Sequence, residues 1–191
     1  MSGNDLISTY KVKKKTFHVF FNKNTWNILS GKWEFEPHKK VITNRELELK
    51  SGENISIIGS RRWNEFTYKV RFKLLTSSLK PPEGGTIIYF LFKDIKNYYS
   101  IHFCHFKQKI EIIKRYKGTW SVLSERNYNF EIQKDYQVTI ITGSGMHKCQ
   151  IEGNDFLTCC DKDISKGCVG IGTKYCCVEF NHLSISVPLN R

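Results

Sequence analysis

The amino-acid sequence predicts an all-β protein, either a β-sandwich or a β-barrel. The 191-residue chain contains no alanine, which is the residue with the highest helix propensity. Isoleucine, valine, threonine, phenylalanine and tyrosine are abundant, and these residues favour strands. Short strand-like segments separated by turn residues recur about every 8 to 12 residues, as in sandwiches and barrels.

The clearest predicted strand covers residues 67–74, where apolar and polar side chains alternate. A period of two is typical of a strand with one buried and one exposed face. Residues 80–85 contain two prolines and two glycines, which predict a long loop. Residues 86–93 are apolar on both faces, so we expect a central strand that is covered on both sides.

The next predicted strand, residues 98–106, should have Tyr99, Ile101 and Phe103 on its core side. Because neighbouring side chains on a strand alternate, its other face should carry Tyr98, Ser100, His102 and Cys104. Further strands are predicted at residues 109–116, 120–123, 136–142, 146–151, 156–160, 169–172 and 178–187. Turn residues separate them, as at Gly143-Ser-Gly145.

One domain accounts for most of the chain. Residues 1–15 are polar and basic and predict a loose N-terminal arm, whereas residues 16–191 show neither a linker nor an internal repeat. No apolar run approaches the roughly 20 residues of a membrane span. The N-terminus also lacks the apolar stretch of a secretory signal, so we expect a cytoplasmic protein.

The charge balance is strongly basic. Lysine and arginine number 30 against 18 acidic residues, which gives a net charge of +12. Such an excess favours anionic partners, including nucleic acid and acidic polysaccharides. Most of the basic residues are scattered lysines, however, so a solvated surface is the alternative interpretation.

Seven cysteines, an odd number without a Cys-x-x-Cys pair, are typical of free thiols in a reducing compartment. Cys159-Cys160 and Cys176-Cys177 are vicinal, so alternation along a strand should send one thiol of each pair inward. Disulfides, or a zinc site completed by His147 or His182, are alternatives. We expect buried, reduced thiols and no bound metal.

Several motifs, in order, resemble the concanavalin A-like jelly-roll sandwich of legume lectins, laminin G domains and laminarinase-type glycosidases. The N-terminal part carries Gly31-Lys-Trp33 and then Trp63-Asn-Glu-Phe66 at the entry to a long strand. Asn97-Tyr-Tyr99 follows, and the C-terminal part carries Gly167-Cys-Val-Gly-Ile171 and Phe180-Asn-His-Leu183. Within this superfamily the pattern most resembles the 3-keto-disaccharide hydrolase-like family. Asn181 stands where that family usually has aspartate.

The resemblance implies a single two-sheet antiparallel β-sandwich and a preference for sugar ligands. It does not imply one function, because this fold includes lectins, glycosidases and protein-binding modules. Laminarinase-type enzymes carry Glu-x-Asp-x-x-Glu on one strand, and this string is absent here. If the protein is instead a glycosidase of the keto-sugar type, Glu34, Glu48 or Glu111 could supply its carboxylates.

Two further kinds of chemistry are weakly indicated. Cys104 lies between His102 and His105, a combination found at nucleophilic sites, although a buried thiol beside a polar histidine explains it equally. Asp155, Asp161 and Asp163 could offer oxygen ligands to calcium, although loop aspartates also stabilise turns. We therefore predict no cofactor, with calcium as the alternative.

The leading hypothesis is a non-catalytic, lectin-like domain that binds carbohydrate, including anionic glycans. Aromatic faces that stack on sugar rings and polar groups that hold hydroxyls are required. We expect Lys69, Arg71, Tyr98 and His102 on an exposed concave face, with the loop residues Trp63 and Trp120 beside them. For Trp63, packing at the start of a strand is the alternative. An intracellular module that binds protein or nucleic acid is the second hypothesis, and the keto-sugar glycosidase is the third.

Overall fold

The computed structural model describes residues 14–18, 21–47, 52–77 and 84–188 of the chain. Within these ranges the chain forms fifteen strands and one short 3-10 turn, Lys23–Thr25. In chain order the strands are β1 (Lys14–His18), β2 (Asn27–Ser30), β3 (Trp33–Glu36), β4 (Val41–Asn44), β5 (Asn54–Ile58), β6 (Phe66–Ser77), β7 (Gly85–Asp94), β8 (Asn97–Cys104), β9 (Lys109–Tyr116), β10 (Thr119–Asn127), β11 (Asp135–Gly143), β12 (Met146–Ile151), β13 (Asn154–Cys160), β14 (Cys168–Lys174) and β15 (Cys176–Pro188).

The strands pair antiparallel in two sheets. Sheet 1 has the order β13-β12-β11-β6-β15-β4-β3, and β1 pairs with β15 in addition. Sheet 2 has the order β10-β9-β8-β7-β14-β5-β2. Because each sheet ends in edge strands within the described part of the chain, the molecule is a sandwich and not a closed barrel. The predicted all-β, two-sheet antiparallel sandwich is confirmed.

The core lies between the two sheets and is strongly aromatic. On β6, Tyr68, Val70, Phe72 and Leu74 are buried in it, as the alternation of residues 67–74 predicts. The Phe72 ring contacts Phe103 of sheet 2 at 4.9 Å between ring centroids and lies 5.3 Å from the ring of Tyr136 in sheet 1. The two layers therefore meet through aromatic contacts as well as aliphatic packing.

The predicted N-terminal arm falls largely outside the described residues. Residues 1–13 lie outside the described ranges. Lys14 and Lys15 begin β1, which pairs with the end of β15. Most of the predicted loop at 80–85 also falls outside the described ranges, and Gly85 opens β7. Among the described residues, no helix is long and apolar enough to cross a membrane.

A buried polar network joins the two sheets at one end of the sandwich. Asn44 of β4 is fully buried, and its Oδ1 accepts hydrogen bonds from Asn54 Nδ2 at 3.1 Å and Thr173 Oγ1 at 3.0 Å. Asn54 and Thr173 belong to sheet 2, whereas Asn44 belongs to sheet 1. Asn44 Nδ2 also donates to the carbonyl of Lys32 at 2.9 Å. Since buried polar groups are costly unless they are paired, this network favours a single alignment of the sheets.

The cysteines differ widely in exposure. Cys104, Cys149, Cys168, Cys176 and Cys177 are buried, Cys159 is half-buried and Cys160 is exposed; all seven are free thiols. The pair at 159–160 follows the expected alternation, whereas both members of the pair at 176–177 are buried. Burial raises the pKa of Cys149 and Cys176 to about 12, so both thiols stay protonated near neutral pH.

Replacing Asn44 by alanine should lower the free energy of unfolding by about 2–4 kcal/mol, because Asn54 and Thr173 would then be buried without their acceptor. Chemical denaturation followed by tryptophan fluorescence measures the change. The exposed Asn64 gives a matched control, since Asn64→Ala should change stability by less than about 0.5 kcal/mol. Equal stability of the two variants would show that the network does not hold the sheets together.

Thiol titration at pH 8 should detect one fast-reacting thiol in the native protein, because the thiolate is the reactive form and Cys160 is the exposed cysteine. All seven thiols should react after denaturation. Cys160→Ser should remove the fast phase and leave the slow phases unchanged. Rapid reaction of all seven native thiols would contradict the observed packing.

Candidate functional site

The residues predicted to form one binding face lie on opposite sides of the sandwich. Lys69 and Arg71 are on β6, so they project from the outer face of sheet 1. Tyr98 and His102 are on β8, so they project from the outer face of sheet 2. The prediction of one shared face is wrong, because the chain crosses from one sheet to the other between β6 and β7, and the non-core sides of the two sheets point away from each other.

Trp63 belongs to neither outer face. It lies in the loop before β6, where its ring is 6.3 Å from that of Phe66 and 6.2 Å from that of Phe17. It is partly buried against the core. These contacts favour a packing role for Trp63 at the start of β6 over a role in ligand binding.

Trp120 joins Tyr98 and His102 on sheet 2. We call this surface the aromatic face and define it by Tyr89, Tyr98, His102, Arg115 and Trp120. The Trp120 ring lies 5.7 Å from Tyr98 and 6.0 Å from His102, both edge-on, and the Arg115 guanidinium carbon is 5.0 Å from its centre. Tyr98 in turn lies edge-on to Tyr89 at 5.1 Å. The structure thus brings together three of the residues singled out from the sequence.

Strand register produces this grouping. The strands β8, β9 and β10 follow one another as antiparallel neighbours, so residues opposite each other share a face. One row contains Tyr98, Arg115 and Trp120, and a second row contains His102, Glu111 and Glu125. Arg115 and Glu125 were not picked out as site residues in the sequence, because only the register places them beside Tyr98 and His102.

Exposure on the aromatic face is uneven. Trp120 is 42% exposed, whereas Tyr98 is 1% and His102 is 8% exposed. The expectation that Tyr98 and His102 are exposed is wrong, because the ring of Trp120 and neighbouring side chains lie against both of them. Burial raises the pKa of Tyr98, and the Glu53 carboxylate adds to that effect. Trp120 is therefore the accessible aromatic group, and Tyr98 and His102 support it from beneath.

The carboxylates near the aromatic face already have partners in the protein. Glu53 Oε2 accepts a hydrogen bond from the Tyr89 hydroxyl at 2.6 Å. Glu111 is 8% exposed and accepts a hydrogen bond from Cys104 Sγ at 3.4 Å. Glu125 forms an ion pair with Lys109 at 3.0 Å. These contacts hold the carboxylates in place beside the aromatic face.

The other carboxylates considered for catalysis are elsewhere. Glu34 is on β3, at the edge of sheet 1, and its exposed carboxylate is 3.3 Å from Arg45. Glu48 lies outside the described residues. Glu34 therefore lies neither on the aromatic face nor on the core side of the sandwich.

The Cys104 environment does not favour nucleophilic chemistry. Burial and the nearby Glu111 carboxylate together raise the pKa of Cys104 to about 12, so the thiolate is disfavoured. His105 is not positioned to act as a base toward Cys104. Its Nε2 lies 3.2 Å from Thr86 Oγ1, and its ring contacts Phe130. Burial lowers the pKa of His105 to about 3, so it stays neutral.

The aspartates considered as calcium ligands form ion pairs with lysines. Lys114 Nζ lies 2.5 Å from Asp161 and 2.6 Å from Asp163, and Lys148 Nζ lies 2.8 Å from Asp155. Both ring nitrogens of His147, a candidate zinc ligand, are engaged by Thr142 and the backbone of Asp161. In the described part of the chain, no group of three His, Cys, Asp or Glu side chains could hold a metal ion.

Lys69 and Arg71 line a different feature, which we call the basic cleft. This cavity of about 1020 Å³ lies on the outer face of sheet 1. Its walls include Lys39, Lys40, Lys69, Arg71, Asn181 and His182. Asn181, at the position where the 3-keto-disaccharide hydrolase-like family usually has aspartate, therefore faces a cavity.

Comparison with known proteins identifies the fold. The sequence matches no family model and no curated protein sequence. Among solved structures, the carbohydrate-binding module CBM66 from Bacillus subtilis superposes with a TM-score of 0.71 at 18% identity, over 83% of this chain and 93% of that one. A Bacillus subtilis protein with a galectin-like fold gives a TM-score of 0.66 at 10% identity, over 93% and 97% of the two chains. The lumenal domain of VIP36, solved with Ca²⁺ and Man3GlcNAc, gives 0.64 at 10% identity, over 92% and 89%.

The chain is thus a galectin-like jelly-roll sandwich, and the expected lectin-type fold is confirmed. The more specific resemblance to the 3-keto-disaccharide hydrolase-like family is not confirmed, since no family model matches. Identities of 10–18% establish the fold alone, so the function has to be argued from the two outer faces.

His105 should make stability fall as the pH is lowered. Its folded pKa of about 3 lies below the unfolded value near 6.5, so between these values the unfolded chain binds a proton that the folded protein does not. Stability from neutral His105 is therefore complete above pH 6.5 and declines below it. Urea titrations from pH 4 to 7 should show that His105→Gln reduces the slope of the unfolding free energy against pH by up to about 1.4 kcal/mol per pH unit. An unchanged slope would mean that His105 is protonated in the folded state.

Proposed function

We propose that the protein is a non-catalytic carbohydrate-binding domain whose aromatic face packs against a sugar ring. The observation that carries this proposal is the exposed Trp120 in a frame of buried polar and aromatic side chains. Ligand sites of this type combine an apolar platform with a few fixed polar groups. The carbohydrate-binding module and the VIP36 structure show that the same fold supports proteins with sugar ligands.

Trp120 offers the platform. Arg115 lies near its ring centre, and Tyr98 and His102 fix its position from the side of the sheet. Because these neighbours are packed, Trp120 loses little conformational freedom when a ligand binds. A rigid aromatic platform of this kind favours the apolar face of a pyranose ring.

Arg115 supplies the polar group beside the platform, in the same row as Tyr98 and Trp120. The guanidinium of Arg115 presents five donors, and one of them, Nε, makes a long contact of 3.5 Å with the Gly118 carbonyl. In the next row, Glu111 and His102 are buried and lie opposite each other beneath the surface. Donors and acceptors at fixed separations can bind the hydroxyl groups of a neutral sugar.

Binding is favoured over hydrolysis by the state of the carboxylates. Glycosidases require one carboxylic acid and one carboxylate beside the scissile bond. Here Glu53 binds Tyr89, Glu111 binds Cys104 and Glu125 binds Lys109. We therefore infer that these groups have structural and ligand-orienting roles. The free thiols of the seven cysteines suit a reducing compartment, and the cytoplasm is where we expect the protein to act.

Trp120→Ala should weaken binding of neutral oligosaccharides at least about tenfold, because it removes the stacking platform. A glycan array selects the ligand, and titration calorimetry measures the affinity. Phe106→Ala is the matched control, since Phe106 is an exposed aromatic residue in the turn between β8 and β9 and should leave affinity unchanged.

Two results would overturn this assignment. Neutral sugars that bind the Trp120→Ala variant as tightly as the native protein would exclude the aromatic face. Hydrolysis of a bound oligosaccharide that disappears in Glu111→Gln would replace the binding role by that of a glycosidase.

A further inference from the structure

The strand β15 changes its partner halfway along its length. On one edge its first half pairs with β4, where Asn181 lies opposite Val41. Its second half pairs with β1 on that edge, starting where Ser184 lies opposite His18. Residues 182–183 lie between these two pairings in the described part of the chain.

A β-bulge lies at the same place. On the opposite edge of β15, Asn181 pairs with Arg71 and Ser184 pairs with Lys69, so β15 has one residue more than β6. His182 accommodates the extra residue with a left-handed φ of 48°, and Leu183 turns into the core. Bulges redirect side chains and often lie beside functional sites.

The bulge lies in the lining of the basic cleft. Its floor is the outer face of β6 and β15, and its walls come from the β3–β4 turn and the segment that contains Phe21 and Asn22. In the β3–β4 turn, Lys40 has a φ of 55° and its backbone N–H donates to the carbonyl of Pro37. This turn places Lys39 and Lys40 at the rim.

The cleft carries an excess of positive charge. Four cationic side chains and one carboxylate, that of Glu179, are among its described lining residues. Lys69 and Arg71 lie on its floor, and neither has an ion-pair partner among the described residues. Arg71 makes one long hydrogen bond, 3.4 Å from Nη2 to Gln137 Oε1. The remaining guanidinium donors can bind an oxyanion at two points.

Asn181 adds an acceptor to this cationic surface. Its Oδ1 atom is buried and has no hydrogen-bond partner within the described ranges. An amide oxygen can only accept hydrogen bonds, so the group that satisfies it must be a donor such as a hydroxyl. Ser184 and Gln137 offer further polar groups in the same cleft. A simple anion pairs only with the cations. An anion that also carries hydroxyl groups pairs with the cations and donates a hydrogen bond to Asn181 Oδ1.

We propose that the basic cleft is a second ligand site, which binds an acidic sugar through its carboxylate or sulfate group. Arg71 and Lys69 bind the oxyanion, and Asn181 accepts a hydrogen bond from a ring hydroxyl. This site is separate from the aromatic face, because the two lie on the outer sides of different sheets. The proposal does not depend on sugar binding at Trp120.

The experiment uses tri-galacturonate, its methyl ester and a sulfated heparin-derived tetrasaccharide as probes, with calorimetry on the full chain. The methyl ester has the same hydroxyls without the charge. Tri-galacturonate should bind at least tenfold more tightly than the ester, and raising the salt concentration should weaken it. The tetrasaccharide carries sulfate groups in addition to uronic carboxylates, so a higher affinity for it than for tri-galacturonate indicates a preference for sulfate.

The variant Lys69→Gln/Arg71→Gln should reduce affinity for the preferred acidic sugar at least tenfold. Its matched control is Lys107→Gln/Lys166→Gln, which removes the same net charge from two exposed lysines outside the cleft and should change affinity less than twofold. Asn181→Asp should also weaken binding, because it introduces a negative charge beside Arg71. Circular dichroism and thermal unfolding establish that each variant is folded.

Three results would overturn the proposal. Equal weakening by the two double variants would show that only the overall charge matters. Equal binding of tri-galacturonate and its methyl ester, together with no binding of the sulfated probe, would exclude oxyanion recognition. Loss of acidic-sugar binding in Trp120→Ala would place the ligand on the aromatic face. Neutral sugars that bind the Trp120→Ala variant as tightly as the native protein would refute only the role of the aromatic face.

Discussion

The buried contacts of Phe72 constrain both layers of the molecule. Its ring meets Phe103 of sheet 2 and lies beside Tyr136 and Phe180 of sheet 1. Burying Phe72 requires Tyr68, Val70 and Leu74 to face inward, and the alternation of the strand then turns Lys69 and Arg71 outward. A slip of one residue in β6 would exchange the two sets, so the packing of the core also determines which charges reach the outer face.

The two outer faces acquire different chemistry from different kinds of pairing. On sheet 2, β7 to β10 form a continuous antiparallel run, and this regular register sets Tyr98, Arg115 and Trp120 side by side. On sheet 1, the partner of β15 changes from β4 to β1, and a bulge at His182 accompanies the change. The pairing of β8, β9 and β10 produces an aromatic platform, and the bulged part of β15 lines a cavity in which Lys69 and Arg71 have no ion-pair partner among the described residues.

The state of the polar groups supports the proposal that both surfaces bind ligands and do not carry out catalysis. Reactive groups need to be available and suitably ionised. Here Cys104 is held as a thiol by burial, His105 is held neutral, and Lys114 neutralises Asp161 and Asp163. The polar groups available to a ligand are those at the edges of the packing, namely Arg115 on one face and Lys69, Arg71 and Asn181 on the other.

The sequence by itself determined the strands and their inward faces. The alternation at 67–74 and 98–106 correctly predicted the buried sides of β6 and β8, because the period of two is a local property of the backbone. Lys69 and Arg71 lie on the outer face of β6, as the alternation predicts, whereas Tyr98 and His102 are buried and Trp120 lies in β10 and not in a loop. Which of them lie together could not be predicted, since that depends on strand order and register between distant segments. Only the tertiary structure separated Lys69 from Tyr98, added Arg115 to Trp120 and brought Asn181 beside Arg71, because these contacts form between strands and not along them.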